Sequence, residues 1–64
     1  MDKLTLRQHR LVKEISQEKM ADELGVHRNT YAAMEENPGK MSVDQAKTIA
    51  KILEVTVDDI FFNN

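Results

Sequence analysis

Apolar residues recur along the chain at intervals of three and four positions, which is the spacing of one face of an α-helix. The longest such series lies in the second half of the chain and consists of Val43, Ala46, Ile49, Ala50 and Leu53. No strand is predicted in the chain. The pattern predicts an all-α fold, with residues 1–64 forming one compact domain of five short helices without linkers or repeats.

Residues that cap helices separate these apolar series. Ser and Thr side chains accept hydrogen bonds from the first free N–H groups of a helix, and a polar partner three residues later completes a capping box. Such helix starts occur at Thr5, Ser16, Ser42 and Thr56. They predict a first helix from Leu6 to about Lys13, two helices that follow Ser16 and Ser42, and a short last helix after Thr56. Residues 37–40, NPGK, are predicted to be a turn.

The segment from Gln17 to Glu36 contains two short helical patterns separated by a single glycine. Gly25 can adopt the positive φ with which many helices end. His27 is then the first cap of a third helix, predicted from Arg28 to about Glu35, although His caps less well than Ser or Asp. One face of each helix is apolar or small, and these residues are Met20, Ala21 and Leu24 followed by Tyr31 and Met34. Two helices joined by a tight glycine turn predict a helix-turn-helix.

Composition narrows the class of protein without identifying a partner. The chain has no cysteine, so disulfides and thiolate metal sites are excluded. No apolar run is long enough to span a membrane and no signal-peptide core is present, so a cytoplasmic location is expected. The net charge of −2 does not by itself suggest nucleic acid, but residues 1–31 carry six Lys or Arg against five acids and residues 32–64 carry three against six. A basic side near the helix-turn-helix and an acidic far side are expected.

The predicted third helix has a face suited to contact with bases. If Tyr31 and Met34 are buried, a helical wheel places four residues on the opposite side, namely Arg28, Asn29, Ala32 and Ala33. Arg pairs with guanine, Asn pairs with adenine, and alanine methyl groups can contact the thymine methyl in the major groove. The alternative interpretation of the two alanines is good helix propensity alone.

Three further residues are predicted to contact the phosphate backbone. Gln17, the first residue of the second helix, combines a free backbone N–H with a side-chain amide. Lys40 follows the third helix in the turn, where a solvated lysine is the alternative. Arg10 is predicted to form an ion pair with Glu35 that ties the first helix to the third, and in addition to contact phosphate.

Sequence motifs over almost the whole chain, from Leu6 to Phe61, resemble the phage-repressor (Cro-like, XRE) helix-turn-helix family. The matching motifs are Ser16-Gln17-Glu18, Met20-Ala21-Asp22-Glu23-Leu24-Gly25-Val26, Arg28-Asn29-Thr30, Glu35, Met41-Ser42-Val43, Ile49-Ala50-Lys51, Leu53 and Val55-Thr56-Val57-Asp58-Asp59-Ile60-Phe61. Four residues depart from the family pattern: His9 in place of a buried leucine, Glu14 and Glu54 in place of glycine, and His27 in place of a capping serine.

The resemblance implies a lambda-repressor-like domain that binds double-stranded operator DNA as a symmetric homodimer. It implies a phosphate contact from Gln17 and base contacts from His27, Arg28, Asn29 and Ala33. The function predicted on this basis is a small transcriptional regulator, a repressor of phage or prophage type that reads a palindromic operator. His27 changes charge near neutral pH, so charge alone predicts that DNA binding weakens as pH rises.

Two other classes of function can be weighed against this one. An enzyme is not expected, because the two histidines lack ligand-like spacing and no phosphate-binding loop exists; no cofactor, metal or small-molecule ligand is predicted. The alternative function is a protein-interaction module, such as an antitoxin or anti-repressor with the same fold. Val57 and Phe62 are predicted at the edge of a homodimer, while Phe62 could instead be buried against its own core.

Overall fold

A computed structural model describes residues 4–61, and helices are the regular secondary structure within this range. Five α-helices and one short 3₁₀ turn follow one another without a strand in that range, which confirms the predicted all-α fold. Their bounds are α1 Leu6–Val12, α2 Gln17–Leu24, α3 Arg28–Glu36, the 3₁₀ turn Pro38–Lys40, α4 Val43–Leu53 and α5 Val57–Phe61. None of the helices in this part of the chain is long and apolar enough to cross a membrane.

The predicted capping residues are the ones that begin the helices. Thr5 and Ser42 each form a complete capping box, in which the backbone N–H of the third helical residue and the cap's own N–H are both satisfied. The Ser16 hydroxyl accepts from the Lys19 backbone N–H at 3.0 Å, and the Thr56 hydroxyl accepts from the Asp59 N–H at 3.1 Å. These bonds are local, so the helix starts agree with the sequence. Helix α1 ends one residue before the predicted Lys13, and α3 extends one residue further.

The helices pack around a core to which α1 to α5 all contribute. Its largest fully buried side chains are Leu6, Met20, Tyr31, Ile49, Leu53 and Ile60. Ala21 is 2% exposed and belongs to this core. This agrees with a small residue at the crossing of α2 and α3, because a larger side chain would hold the two helices apart.

Two apolar side chains, one in α1 and one in α4, are exposed. Leu11 is 52% exposed, because the buried face of α1 consists of Leu6 and, four residues later, the charged Arg10. Val43 is 61% exposed as the first residue of α4, and the buried stripe of that helix starts at Ala46. The expectation from the helical spacing that Val43 lies on the buried face of its helix is therefore wrong.

Three residues leave their helices or turns with left-handed backbone conformation. Gly25 ends α2 with φ 71, as predicted, and its N–H bonds to carbonyls of the preceding turn. Glu14 has φ 57 and Glu54 has φ 60, although both carry a Cβ that disfavours this conformation. Glu54 also forms an exposed ion pair with Lys13, whose Nζ lies 2.8 Å from the Glu54 carboxylate.

Replacing Glu14 with glycine should stabilise the domain. Glycine adopts positive φ without the steric cost that a side chain incurs, and we expect a gain of about 1 kcal/mol in the free energy of unfolding. Urea denaturation followed by circular dichroism measures the change. The matched control is Glu14→Gln, which removes the charge but keeps the Cβ and should leave stability unchanged. A loss of stability in Glu14→Gly would contradict the assignment of strain to this residue.

Candidate nucleic-acid interface

Helices α2 and α3 form a hairpin in which only one face of each helix is buried. The turn between them is closed by a hydrogen bond from the Val26 N–H to the Ala21 carbonyl, at 3.0 Å. Tyr31 and Met34 are 0% and 4% exposed and face the core. The opposite side of α3, which we call the recognition surface, is directed outward and consists of Arg28 and Asn29, both exposed, with Ala32 and Ala33, both half-buried.

Helix α3 begins with an effective cap, although the residue is unusual. The backbone N–H of Asn29 donates to Nδ1 of His27 at 3.1 Å, and His27 has the extended backbone conformation of a cap residue. The imidazole therefore performs the function of the serine or aspartate that is more common at helix starts. His27 is exposed and lies next to Arg28 and Asn29, which places it at the edge of the recognition surface.

The ion pair between Arg10 and Glu35 is present and almost completely buried, as the sequence predicts. Arg10 Nε lies 2.5 Å from Glu35 Oε2, and the two side chains are 7% and 4% exposed. A further N–H of the guanidinium donates to the carbonyl oxygen of Ile15 at 2.8 Å. The arginine thus joins α1 to α3 and also fixes the segment between α1 and α2.

This geometry removes Arg10 from the predicted phosphate contacts. Its guanidinium is directed at Glu35 and Ile15 and has little surface left for a second anion. The carboxylate of Glu35 holds the pKa of Arg10 above its ordinary value, against the opposing effect of burial. We therefore assign Arg10 to the ion pair alone and do not propose it as a phosphate contact.

Glu35 is also the partner of Gln17, so the ion pair extends to the start of α2. The side-chain amide of Gln17 donates from Nε2 to Glu35 Oε1 at 3.0 Å. Burial alone would raise the pKa of Glu35, but hydrogen bonds from Arg10 and Gln17 stabilise the charged form and hold the pKa below its ordinary value. The carboxylate is thus ionised at neutral pH and holds the Gln17 side chain in one orientation.

The hydroxyl group of Tyr31 is buried beside this cluster. It has no hydrogen bond of acceptable geometry with any described residue. Burial raises the pKa of the hydroxyl, and the nearby Glu35 carboxylate raises it further. Tyr31 is therefore neutral throughout the physiological range and serves as the largest side chain of the core beneath α3.

A shallow groove lies between α1, the start of α2 and the outer side of α3. Arg7 and Arg28 are its exposed cations, and Glu18 and Glu36 are its exposed anions. Its other lining residues are Thr5, Arg10, Ser16, Gln17, Ala32 and Glu35. The groove therefore brings Gln17 together with Arg28 and Ala32, three residues predicted for the site, with Arg28 at the start of α3 and Glu36 at its end.

Arg7 is a lining residue that is not among the predicted site residues. Its spacing of three residues from Arg10 on one helix is a signal, but a row of basic residues on a single helix indicates a solvated face more often than a site. The other predicted residues lie elsewhere: Lys40 is exposed at the end of the 3₁₀ turn after α3, and Val57 is half-buried against the core. Phe62 lies outside the described residues. Among residues 4–61 no group of three His, Asp or Glu side chains is arranged to hold a metal ion.

The two-helix hairpin, its glycine turn and the outward side of α3 define a helix-turn-helix domain. The helix-turn-helix family profile matches residues 6–60 of this chain. The chain is 38% identical over 56 residues to an uncharacterized HTH-type transcriptional regulator of Methanocaldococcus jannaschii, with 88% of this chain and 85% of that protein aligned. No solved structure matches the chain. The chain belongs to the helix-turn-helix family, a family of DNA-binding transcriptional regulators.

Removing one member of the buried ion pair should be much more damaging than removing both. Glu35→Leu leaves the Arg10 charge buried without its partner, and we expect a loss of about 3 kcal/mol or more in the free energy of unfolding. The double variant Arg10→Met with Glu35→Leu should recover most of this loss, because no charge remains to be buried. Urea denaturation of the three proteins measures both effects. A Glu35→Leu protein as stable as the unmodified chain would contradict a structural role for the pair.

The lowered pKa of Glu35 predicts the pH dependence of stability. In the unfolded chain a glutamate takes up its proton near pH 4.5, whereas folded Glu35 stays ionised to lower pH. The stabilisation is therefore fully present above pH 4.5 and is lost as pH falls toward the folded value. Urea denaturation between about pH 7 and pH 3 should show this loss, and the slope should be shallower in the double variant.

A control for this pH series is Glu54→Gln. The ion pair with Lys13 lowers the pKa of Glu54, but this carboxyl is exposed and solvent screens the interaction. The substitution therefore removes a carboxylate that should contribute little to the pH dependence of stability. We expect Glu54→Gln to retain most of the slope of the unmodified chain. An equal slope in the unmodified chain and in the Arg10→Met, Glu35→Leu variant would contradict the assignment to Glu35.

Proposed function

We propose that this protein is a sequence-specific transcriptional regulator, a repressor of phage or prophage type, that reads a palindromic operator as a homodimer. The observation that carries the proposal is the outward start of α3, where Arg28 and Asn29 are exposed above the buried Tyr31 and Met34. Membership of the helix-turn-helix family supports DNA as the partner, and the similarity to a transcriptional regulator of Methanocaldococcus jannaschii supports transcriptional regulation.

The recognition surface is suited to base edges in the major groove. The guanidinium of Arg28 can donate two hydrogen bonds to guanine, and the amide of Asn29 can both donate to and accept from adenine. Ala32 lies one turn further along α3 beside the groove, and with Ala33 it presents only methyl groups. Small side chains allow the helix axis to lie close to the bases, and their methyl groups can contact thymine.

The proposed phosphate contacts come from Gln17 and Lys40. Gln17 is the first residue of α2, and helix starts present free N–H groups to anions. The Glu35 carboxylate already fixes the orientation of its side chain, so less conformational entropy is lost on binding. Lys40 is exposed after α3. Glu36, the last residue of α3, would be repelled by phosphates, so the N-terminal half of α3 is the half that enters the major groove.

A dimer on a palindrome fits the size of the domain. The longest dimension of the domain is 33 Å. Half-sites of this class of operator are spaced by about one helical turn, roughly 34–36 Å, so that two domains can lie side by side on one face of the duplex. The proposed dimer edge includes Val57 of α5, which is half-buried in the single chain and can become more buried against a second copy.

Replacing Arg28 or Asn29 with alanine should weaken binding to the cognate operator by about 1–3 kcal/mol and relax discrimination at one base pair each. The operator is first obtained by selecting bound sequences from random DNA, and a symmetric enriched sequence is expected. Affinities of the variants for the operator and for its single-base changes are then measured by fluorescence anisotropy at fixed salt. Both side chains are exposed, so neither variant should lose stability.

The matched control is Lys47→Ala, which removes one exposed cation of α4 outside the recognition surface. This variant should keep the base preferences of the unmodified chain. Affinity of all proteins should fall steeply with added salt if phosphates are contacted. If random-sequence selection enriches no DNA, or if Arg28→Ala and Asn29→Ala bind every sequence as well as the unmodified chain, the proposal is wrong. Capture of a protein partner that depends on these residues would then favour an interaction module.

A further inference from the structure

The imidazole of His27 has one nitrogen occupied by the helix and one directed away from it. Nδ1 accepts the hydrogen bond from the Asn29 backbone N–H, so this nitrogen must carry a lone pair and no proton. A neutral imidazole has one proton, which must then be on Nε2. The cap at the start of α3 therefore selects one tautomer of the side chain.

We propose that His27 contacts DNA as a neutral side chain with a single donor, through its Nε2–H, and this inference rests on the proposed function. Its counterpart is a hydrogen-bond acceptor of the duplex, which a base edge can supply as purine N7, guanine O6 or thymine O4, and the backbone as a phosphate oxygen. His27 discriminates against donors such as the amino group of adenine or cytosine at that position.

The position of His27 supports this role. The residue is exposed and directly precedes Arg28 and Asn29, so it extends the recognition surface by one residue toward the N-terminus of α3. The two ring nitrogens lie on divergent edges, and Nε2 is directed away from the first turn because Nδ1 is directed into it. A capping serine uses one atom near the backbone for both functions, whereas the longer imidazole separates the cap from the donor.

The charge of His27 is coupled to the cap. A proton on Nδ1 removes the acceptor of the Asn29 N–H and places a positive charge at the positive end of the α3 dipole. The charged groups that line the same depression as His27 are Glu18 and Asp22 of α2 and Arg28 of α3. The neutral form keeps both the cap and the donor. We therefore expect DNA affinity to fall as pH decreases, which is the opposite of what attraction between a charged imidazole and phosphate would give.

The first test concerns the free protein and needs no DNA. Long-range ¹⁵N–¹H correlation spectra of the full chain at about pH 8, where histidine is neutral, distinguish a protonated ring nitrogen from an unprotonated one. We expect an unprotonated Nδ1 and a protonated Nε2 for His27. His9, which is not a cap residue, provides an internal comparison in the same spectrum. A protonated Nδ1 on His27 would overturn the proposal.

The second test measures binding to the selected operator between about pH 5.5 and 7.5, the range in which histidine changes charge. The matched variant is His27→Ser, which keeps a capping side chain but does not titrate. Relative to this variant, the affinity of the unmodified chain should fall roughly three- to tenfold as pH decreases, because binding of the neutral form then requires the loss of a proton. An affinity that rises as pH decreases would show that the charged form binds, and would overturn the proposal.

The third test identifies the acceptor. Operators in which single purines are replaced by their 7-deaza analogues lose one base acceptor each, and single methylphosphonates remove one phosphate charge each. One of these changes should weaken the unmodified chain roughly three- to tenfold and leave His27→Ser unaffected, and its position assigns the contact to a base or to the backbone. The remaining acceptors are guanine O6 and thymine O4, which are tested with bases modified at these atoms. If the unmodified chain and His27→Ser tolerate every one of these changes equally, the proposed contact is wrong even though the protein binds DNA. If neither protein enriches any DNA, the proposed function fails as well, and the two failures are thereby distinguished.

Discussion

The buried pair of Arg10 and Glu35 is the interaction on which the arrangement of the helices depends. A buried charge is tolerated only when its hydrogen-bonding capacity is met, and here the guanidinium is bonded to the Glu35 carboxylate and to the carbonyl of Ile15. The carboxylate in turn accepts from Gln17. One cluster therefore connects α1, the start of α2 and the end of α3, and it fixes their relative positions through bonds that have direction.

The apolar core alone would specify this arrangement less sharply. Three of its buried residues, Met20, Met34 and Met41, have flexible side chains that fill space in several conformations. A chain of this length also buries a small share of its surface compared with larger domains. We infer that the core supplies most of the favourable free energy, while the ion pair selects one packing of α1 against the helix-turn-helix. A chain without the pair would then remain helical with a less defined orientation of α1.

The extent to which the sequence predicts this structure follows from the range of each interaction. Helix starts were predictable because a cap and its partner lie within three residues. The ion pair of Arg10 could be predicted because both residues sit at fixed positions on helices. The exposure of Leu11 and Val43 could not be predicted, because it depends on which neighbours the packed helices supply. The pattern of residue types did not indicate the hydrogen bond from Arg10 to the Ile15 carbonyl or the one from Gln17 to Glu35. The wheel predicted which side of α3 is outward, and its DNA contacts stay a prediction.

The ion pair also has a consequence for the proposed contact with DNA. Glu35 lies in the groove that would face the duplex, beside Glu18 and Glu36, and three uncompensated carboxylates there would repel phosphate from Gln17. Because Arg10 neutralises Glu35 at short distance, the field that reaches the surface is that of a neutral pair. The same carboxylate can then orient Gln17 without repelling the phosphate that Gln17 is proposed to bind. A surface arginine in place of this buried pair would attract phosphate more strongly but would fix neither Gln17 nor α3. On the proposed function, the chain with its net charge of −2 therefore depends for affinity on orientation more than on total charge.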